Sequence, residues 1–298
     1  RLEYSCVCIT AKATQYSYVK WLAYELKKRN VNCTIVLGGP LATYSYEVVL
    51  ENCSVDICVI GPGEETIVDL MENSNNLKTV KGIAFKDSEG VCVTDMRNSA
   101  KSLDEIPRPV FDLFRMDIYT TNKLYIHNKS MTLYTHNNIF PVMAMVTGRG
   151  CPLKCNFCSP SFRTFKIMSV ESILEEVDFF VERYGVKGIN FVDELLFLKK
   201  DMIAHMAEEL GRRGILWNGQ ARIDTVDINR LEFYKKNGLV SIGYGIESGS
   251  EFLLKEMNKK ITREKMETVL KKTLEVGLHI KVQLVFGYPG ENYDTVNE

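Results

Sequence analysis

The stretch Val142-Met143-Ala144-Met145-Val146-Thr147-Gly148-Arg149-Gly150-Cys151-Pro152-Leu153-Lys154-Cys155-Asn156-Phe157-Cys158 decides how the chain is to be read. Residues 142–147 form an apolar run of strand length, and the glycines after it end the strand. The residues from Gly150 onward read as a loop, because Pro152, Lys154 and Asn156 break any core-like period. Its three cysteines are spaced C-x3-C-x2-C, with the aromatic Phe157 before the third. Three thiolates in that arrangement suit three irons of a four-iron, four-sulfur cluster. No cysteine comes after Cys158, and the nearest one before Cys151 is Cys92. The fourth iron is therefore left open to a ligand, whereas a ferredoxin-type electron carrier supplies a fourth cysteine. The competing reading is a structural zinc site, which needs a fourth Cys or His nearby. The closest histidines are His136 upstream and His205 downstream.

Downstream of the loop, the pattern alternates. Residues 169–184 carry Val170, Ile173, Leu174, Val177, Phe180 and Val181 on one helical face, with Ser169 placed as N-cap. Strands are expected near 188–192, 215–221, 240–244 and 281–286, each separated by helical sequence. That makes four complete βα units and the start of a fifth. Parallel sheets of this kind carry their sites at the C-terminal strand ends. There the sequence places, in order, the cysteine loop, Asp193-Glu194, Arg222, Gly245-Ile246-Glu247-Ser248-Gly249, and Gly287-Tyr288-Pro289-Gly290-Glu291. Taken singly, these read as a helix cap, a surface arginine, a helix start and an ordinary turn. Taken in order along one rim, they mark a site.

Upstream, residues 1–97 form a second βα region. Strands are expected at 4–10, 34–37 and 56–60, and helices at 18–28, through Val19, Leu22, Ala23 and Leu26, and at 47–52. The second strand ends in Gly38-Gly39-Pro40 and the third in Gly61-Pro62-Gly63-Glu64. Alternating strands and helices imply a Rossmann-like parallel sheet. Residues 81–94 read as a hairpin turning at Asp87-Ser88-Glu89-Gly90. Residues 98–140, with Pro107-Arg108-Pro109 and a polar Asn/Thr/His stretch, have no steady period and read as a join.

Composition narrows the class. The 298 residues carry 37 basic and 38 acidic side chains, a net charge of −1. That balance speaks against nucleic acid or another polyanion as partner. No apolar run is long enough to span a bilayer, and no signal peptide is expected. Nine cysteines, an odd number outside any small secreted framework, point to a reducing, cytoplasmic setting. The first residue opens on a strand-like run and the last falls where a helix begins, so the chain is expected to be a fragment cut at both ends.

The cysteine loop with Phe157 before its third cysteine resembles that of the radical S-adenosylmethionine enzymes. The resemblance implies a partial six-unit (β/α) barrel over 141–298. It also implies that the open iron is chelated by the amino and carboxylate groups of S-adenosylmethionine. Reductive cleavage of that molecule at the [4Fe-4S] cluster then yields a 5'-deoxyadenosyl radical. Residue by residue, it implies that Asp193 or Glu194 meets the methionine amino group. Glu247 and Ser248 contact ribose and methionine, and Arg222 pairs with the methionine carboxylate. Phe157 lends its backbone to adenine, and Gly287, Gly290 and Glu291 lie near it. The second-strand element is Asp-Glu here, where the family pattern is Gly-Gly-Glu. The N-terminal region is similar to the cobalamin-binding domain of one large subgroup, through Gly38-Gly39-Pro40, Gly61-Pro62-Gly63-Glu64-Glu65 and 103–109. There Gly38, Gly39, Gly61 and Gly63 allow backbone to approach a cobalamin. No Asp-x-His-x-x-Gly occurs in the 298 residues, so no histidine of that motif ligates cobalt. His127, His136, His205 and His279 read as surface or core polar residues. The implied function is a cobalamin-dependent radical enzyme methylating an unactivated carbon of a small-molecule or natural-product substrate, with flavodoxin or ferredoxin as reducing partner. Cyclisation or rearrangement, an iron–sulfur or cobalamin sensor without catalysis, and a zinc-stabilised binding module are the alternatives.

Overall fold

A computed structural model of the chain describes residues 5–97, 102–121, 141–158 and 164–298. It divides into two units between Lys101 and Ser102. The start of the expected first strand, His127 and His136, and residues 98–101 and 122–140 of the expected join lie outside the described residues.

The first unit is built on five strands, β1 (Cys6–Thr10), β2 (Thr34–Gly38), β3 (Ile57–Val59), β4 (Ile83–Asp87) and β5 (Gly90–Val93). They lie side by side in the order β1-β2-β3-β4-β5. The first three pair in parallel and the last three antiparallel. Strand β2 shows why both faces are covered. Ile35 and Leu37 point into one core with Val19, Ala23 and Val49, from helices α1 (Tyr16–Arg29) and α2 (Gly39–Asn52). Val36 points the other way, toward Leu70 of α3 (Glu64–Glu72), Ile83 and Phe85. Period-two alternation with apolar residues on both sides is the signature of a buried parallel strand. The hairpin turns at 87–90 as expected. Helix α2 is longer than the expected 47–52. It begins at Gly39 with Pro40 in the first turn, where a missing N–H costs nothing, and breaks locally at Ser45.

The second unit holds β6 (Val142–Met145), then a short ribbon of β7 (Gly148–Arg149) against β8 (Lys166–Ile167) that brackets the cysteine loop. After it come β9 (Gly188–Phe191), β10 (Leu216–Arg222), β11 (Leu239–Glu247) and β12 (His279–Leu284). With β6 these four make a parallel sheet in the order β12-β11-β10-β9-β6. Sequential parallel neighbours are the barrel-type arrangement that the sequence implies. Strands β10 and β11 run further than expected, so Arg222 and Glu247 are the last residues of their strands, not loop residues.

Residues 102–121, expected inside the join, belong to this second unit and contain α4 (Met116–Thr121). Arg108 pairs with Glu176 at 2.6 Å and lies 4.0 Å over the ring of Phe179, both on α5 (Val170–Tyr184). That helix starts as expected: the Ser169 hydroxyl accepts from Ser172 N. Val170, Ile173, Leu174, Val177 and Phe180 are buried, but Val181 is exposed, one position round from the stripe. Helices α6 (Lys200–Arg212), through Ile203, Met206 and Leu210, and α7 (Leu231–Lys236), through Leu231 and Tyr234, join the same core. That core centres on Trp217, ringed by Phe191, Phe197 and Tyr234 with centroids 6.1–6.3 Å away, and its indole N–H donates to Asn237 O.

Candidate functional site

The five strand ends carry the polar groups that the sequence singled out, and the structure shows what each touches. Asp193, just past β9, is 3% exposed. Its Oδ1 accepts from Thr147 N at 2.8 Å, Thr147 Oγ1 at 3.1 Å and Gly148 N. It therefore fastens the entry of the cysteine loop to the neighbouring strand. Gly148 packs tightly here: a Cβ would come within 3.1 Å of Lys166 O and 3.3 Å of Asp193 Oδ1. Asp193 Oδ2 is buried and meets no hydrogen-bond partner among the described residues. Burial outweighs the three donors and pushes this carboxyl up to about 6. Glu194, the next residue, is exposed.

Cys151 and Cys155 are half-buried and Cys158 is exposed. The Cys158 thiol is pushed up by burial, then by Cys155, Cys151, Glu194 and Glu247 around it. Three thiols and two carboxylates thus share one electrostatic neighbourhood. Among the described residues, no three His, Cys, Asp or Glu side chains converge closely enough to hold a single ion. Three thiols on one loop, half-buried to exposed, can give one thiolate each to three irons of a four-iron cluster. The donor set fits such a cluster.

The resemblance had Arg222 facing a carboxylate of the ligand. In the structure it is 7% exposed and its nitrogens face the protein. Nε donates to Asp224 Oδ1 at 2.7 Å, Nη1 to Cys155 Sγ at 3.5 Å and Nη2 to Lys259 O. A charged donor on a cluster thiolate is a lever on the potential of the centre.

Glu247 ends β11 in the left-handed region, at φ 71°. Non-glycine residues held there cost about 1–3 kcal/mol and cluster at functional sites. A register shift against β12 at Gly245/Glu247 accompanies this turn. The Glu247 carboxylate, 8% exposed, pairs at 2.7 Å with Lys259, 5% exposed. Lys259 was not anticipated from the sequence. It lies after α8 (Glu251–Glu256) in a turn whose Asn258 and Lys260 are both left-handed. This turn also grips the cysteine loop. Asn156 N donates to Met257 O at 2.9 Å, Asn156 Nδ2 to Glu256 O at 2.7 Å, and Asn258 Nδ2 to Lys154 O at 2.7 Å. Ser248 is buried, its hydroxyl accepting from Ser250 N. In the last element, Gly287 N donates to Glu291 Oε2 at 2.6 Å, and Gly287 and Gly290 are both left-handed.

In the first unit, Gly38 and Gly39 lie at the end of β2, and Gly61 and Gly63 come after β3, its parallel neighbour. Gly39 is at φ 82°, and a Cβ there would strike Thr10 Oγ1 at 2.7 Å, so the protein itself requires that glycine. Gly61, at φ 81°, has open space where a Cβ would stand. Glycines at the carboxyl ends of adjacent parallel strands fit a cofactor laid across them. Exposed His205 and His279 take no part in the site.

Comparison with known proteins agrees with this geometry. A family model described as the radical SAM superfamily matches residues 145–298, and one described as the B12 binding domain matches 1–71. An uncharacterized methyltransferase of Pyrococcus horikoshii is 29% identical over 299 residues, spanning 97% of this chain and 62% of its own length. The anaerobic magnesium-protoporphyrin IX monomethyl ester cyclase of Cereibacter sphaeroides is 28% identical over 282 residues, spanning 90% and 44%. The structure of OxsB, a cobalamin-dependent S-adenosylmethionine radical enzyme with aqua-cobalamin and S-adenosylmethionine bound, superposes with a TM-score of 0.76. It is 20% identical and covers 98% of this chain and 42% of that one. The chain thus spans less than two thirds of the length of each.

Proposed function

The chain belongs to the radical SAM superfamily, and from that premise we propose that it is the core of a cobalamin-dependent methyltransferase acting on an unactivated carbon of a small-molecule substrate. The observation that carries the reading is the loop of Cys151, Cys155 and Cys158, with Glu194 and Glu247 about Cys158 and Arg222 on the Cys155 sulfur. When bound, the cluster supplies the electron that cleaves S-adenosylmethionine, and methylcobalamin supplies the methyl group.

The residues divide the work. Cys151, Cys155 and Cys158 hold three irons. Glu194, exposed toward the same neighbourhood, meets the methionine amino group, while Asp193 buckles the loop to β9. Arg222 donates to the Cys155 sulfur and lies within the same site as the expected methionine carboxylate. Glu247 and Ser248 face ribose and methionine. Phe157, Gly287, Gly290 and Glu291 border adenine. Gly38, Gly39, Gly61 and Gly63 would offer backbone to cobalamin. A flavodoxin or ferredoxin in a reducing cytoplasm is the fitting electron donor. Among the described residues no helix is long and apolar enough to cross a membrane. A radical cyclase is the second reading, favoured by the similarity to the Cereibacter sphaeroides cyclase over 90% of this chain.

The test is EPR on anaerobically reconstituted, dithionite-reduced protein with and without S-adenosylmethionine, then assay for 5'-deoxyadenosine. A four-iron signal that S-adenosylmethionine alters, absent in Cys155→Ala, is expected. A zinc-loaded protein with no cluster would refute the reading.

A further inference from the structure

The site contains a buried cation that none of the family-derived roles uses. Lys259 Nζ lies 2.7 Å from Glu247 Oε1 and 5.6 Å from the centroid of the Phe157 ring. Both charged side chains are nearly sealed from solvent. A lysine is almost never fully buried unless paired, and a cation over an aromatic face gains further attraction when desolvated. Its backbone is used as well: Lys259 O accepts from Arg222, which in turn donates to the Cys155 sulfur. The flanking Met257 and Asn258 hold Asn156 and Lys154 of the cysteine loop. Space has been kept for this pair. A Cβ on Gly245 would stand 2.7 Å from Glu247 Oε1 and 3.3 Å from Lys259 Nζ. Glu247 itself is held at a left-handed φ, a conformation that persists only where surroundings over-determine it.

We infer that Lys259 is a positioning residue: it fixes Glu247 and Phe157 together, so that the ligand-facing end of β11 and the cysteine loop form one rigid cradle for S-adenosylmethionine. This rests on the cofactor reading above. Lys259 touches no reacting atom. It holds the Glu247 carboxylate in place, and it fixes the ring whose backbone precedes Cys158.

The test uses the full chain, reconstituted anaerobically, as wild type, Lys259→Met, Lys259→Arg, Glu247→Gln and the Glu247→Gln/Lys259→Met double variant. Iron content and the EPR signal without ligand report the cluster. The signal change on titrating S-adenosylmethionine reports its binding. Lys259→Met is expected to keep its cluster and to need at least about tenfold more S-adenosylmethionine, a loss of about 1.4 kcal/mol. Lys259→Arg is expected to recover most of that loss, and the double variant to be no worse than the poorer single one. Three results overturn the inference: Lys259→Met titrating like wild type, losses that add in the double variant, or cluster loss in Lys259→Met alone with Lys259→Arg no better. Wild-type protein whose signal ignores S-adenosylmethionine would overturn the cofactor reading itself, before any variant is compared.

Discussion

Asp193→Asn isolates a contest between burial and hydrogen bonding. Three donors on Oδ1 favour the carboxylate, and such an arrangement can hold a carboxyl very low. Against them stand near-complete burial and an Oδ2 with no partner among the described residues. Burial wins, lifting the group from 3.8 to about 6. At about 1.4 kcal/mol per pH unit, that is about 3 kcal/mol of differential stability. The sign depends on which state holds the proton. The folded protein keeps it over a range where the unfolded chain has released it. The contribution is therefore complete below about pH 3.8 and is lost as pH rises through about 6. Asparagine keeps an acceptor for Thr147 and Gly148 and titrates nowhere. Its unmatched amide costs the same at every pH and drops out of the slope. The assay is urea unfolding of wild type and Asp193→Asn in parallel from pH 4 to 8. The chain has two tryptophans, and changing the exposed Trp21 to Phe leaves buried Trp217 as the reporter of the second unit. Wild type should lose about 2.4 kcal/mol relative to the variant between pH 4 and 7.5, about 2 kcal/mol of it between 4 and 6. A flat difference, or wild type gaining above pH 6, would refute the reasoning and hand the contest to the three donors.

Other perturbations test the frame around the site. Trp217→Ala, which empties the centre of an aromatic cluster and orphans Asn237 O, is expected to cost about 3–5 kcal/mol in urea unfolding. Ser169→Ala removes the cap of α5, and its cost by the same assay is about 1 kcal/mol. Gly245→Ala puts a Cβ into the Glu247–Lys259 pair, and a loss of about 1–3 kcal/mol is expected from the crowding. Cys155→Ala leaves the fold in place by circular dichroism but abolishes the reduced four-iron EPR signal.

The frame was legible because its signals are local. Parallel strands buried on both faces read as short apolar runs, glycines mark their ends, and the 3.6-residue stripe of α5 locates a helix and its cap. The site was legible only in part, and two places show why. Asp193 and Glu194 are adjacent acids that chemistry alone does not separate. Strand parity does: Phe191 is buried, Val192 exposed, Asp193 buried and Glu194 exposed. Carrying the period-two pattern past the last apolar residue would have sent Asp193 inward to bind backbone and Glu194 outward to face a ligand. Lys259 had no comparable signal. It sits in Lys255-Glu256-Met257-Asn258-Lys259-Lys260, which reads as the solvated end of a helix, where lysines are ordinarily exposed. Its partner lies 12 residues earlier, at the end of a different element. Two deductions narrow the search even so. A glutamate that ends a buried strand needs an opposite charge or a proton, since an unpaired ionised carboxylate is too costly to bury. And an asparagine after α8 is a residue that tolerates the left-handed turn seen at Asn258, where a chain can reverse. Charge balance demands a cation and turn geometry supplies the place for one. Only the folded chain shows that the same residue also reaches the cysteine loop.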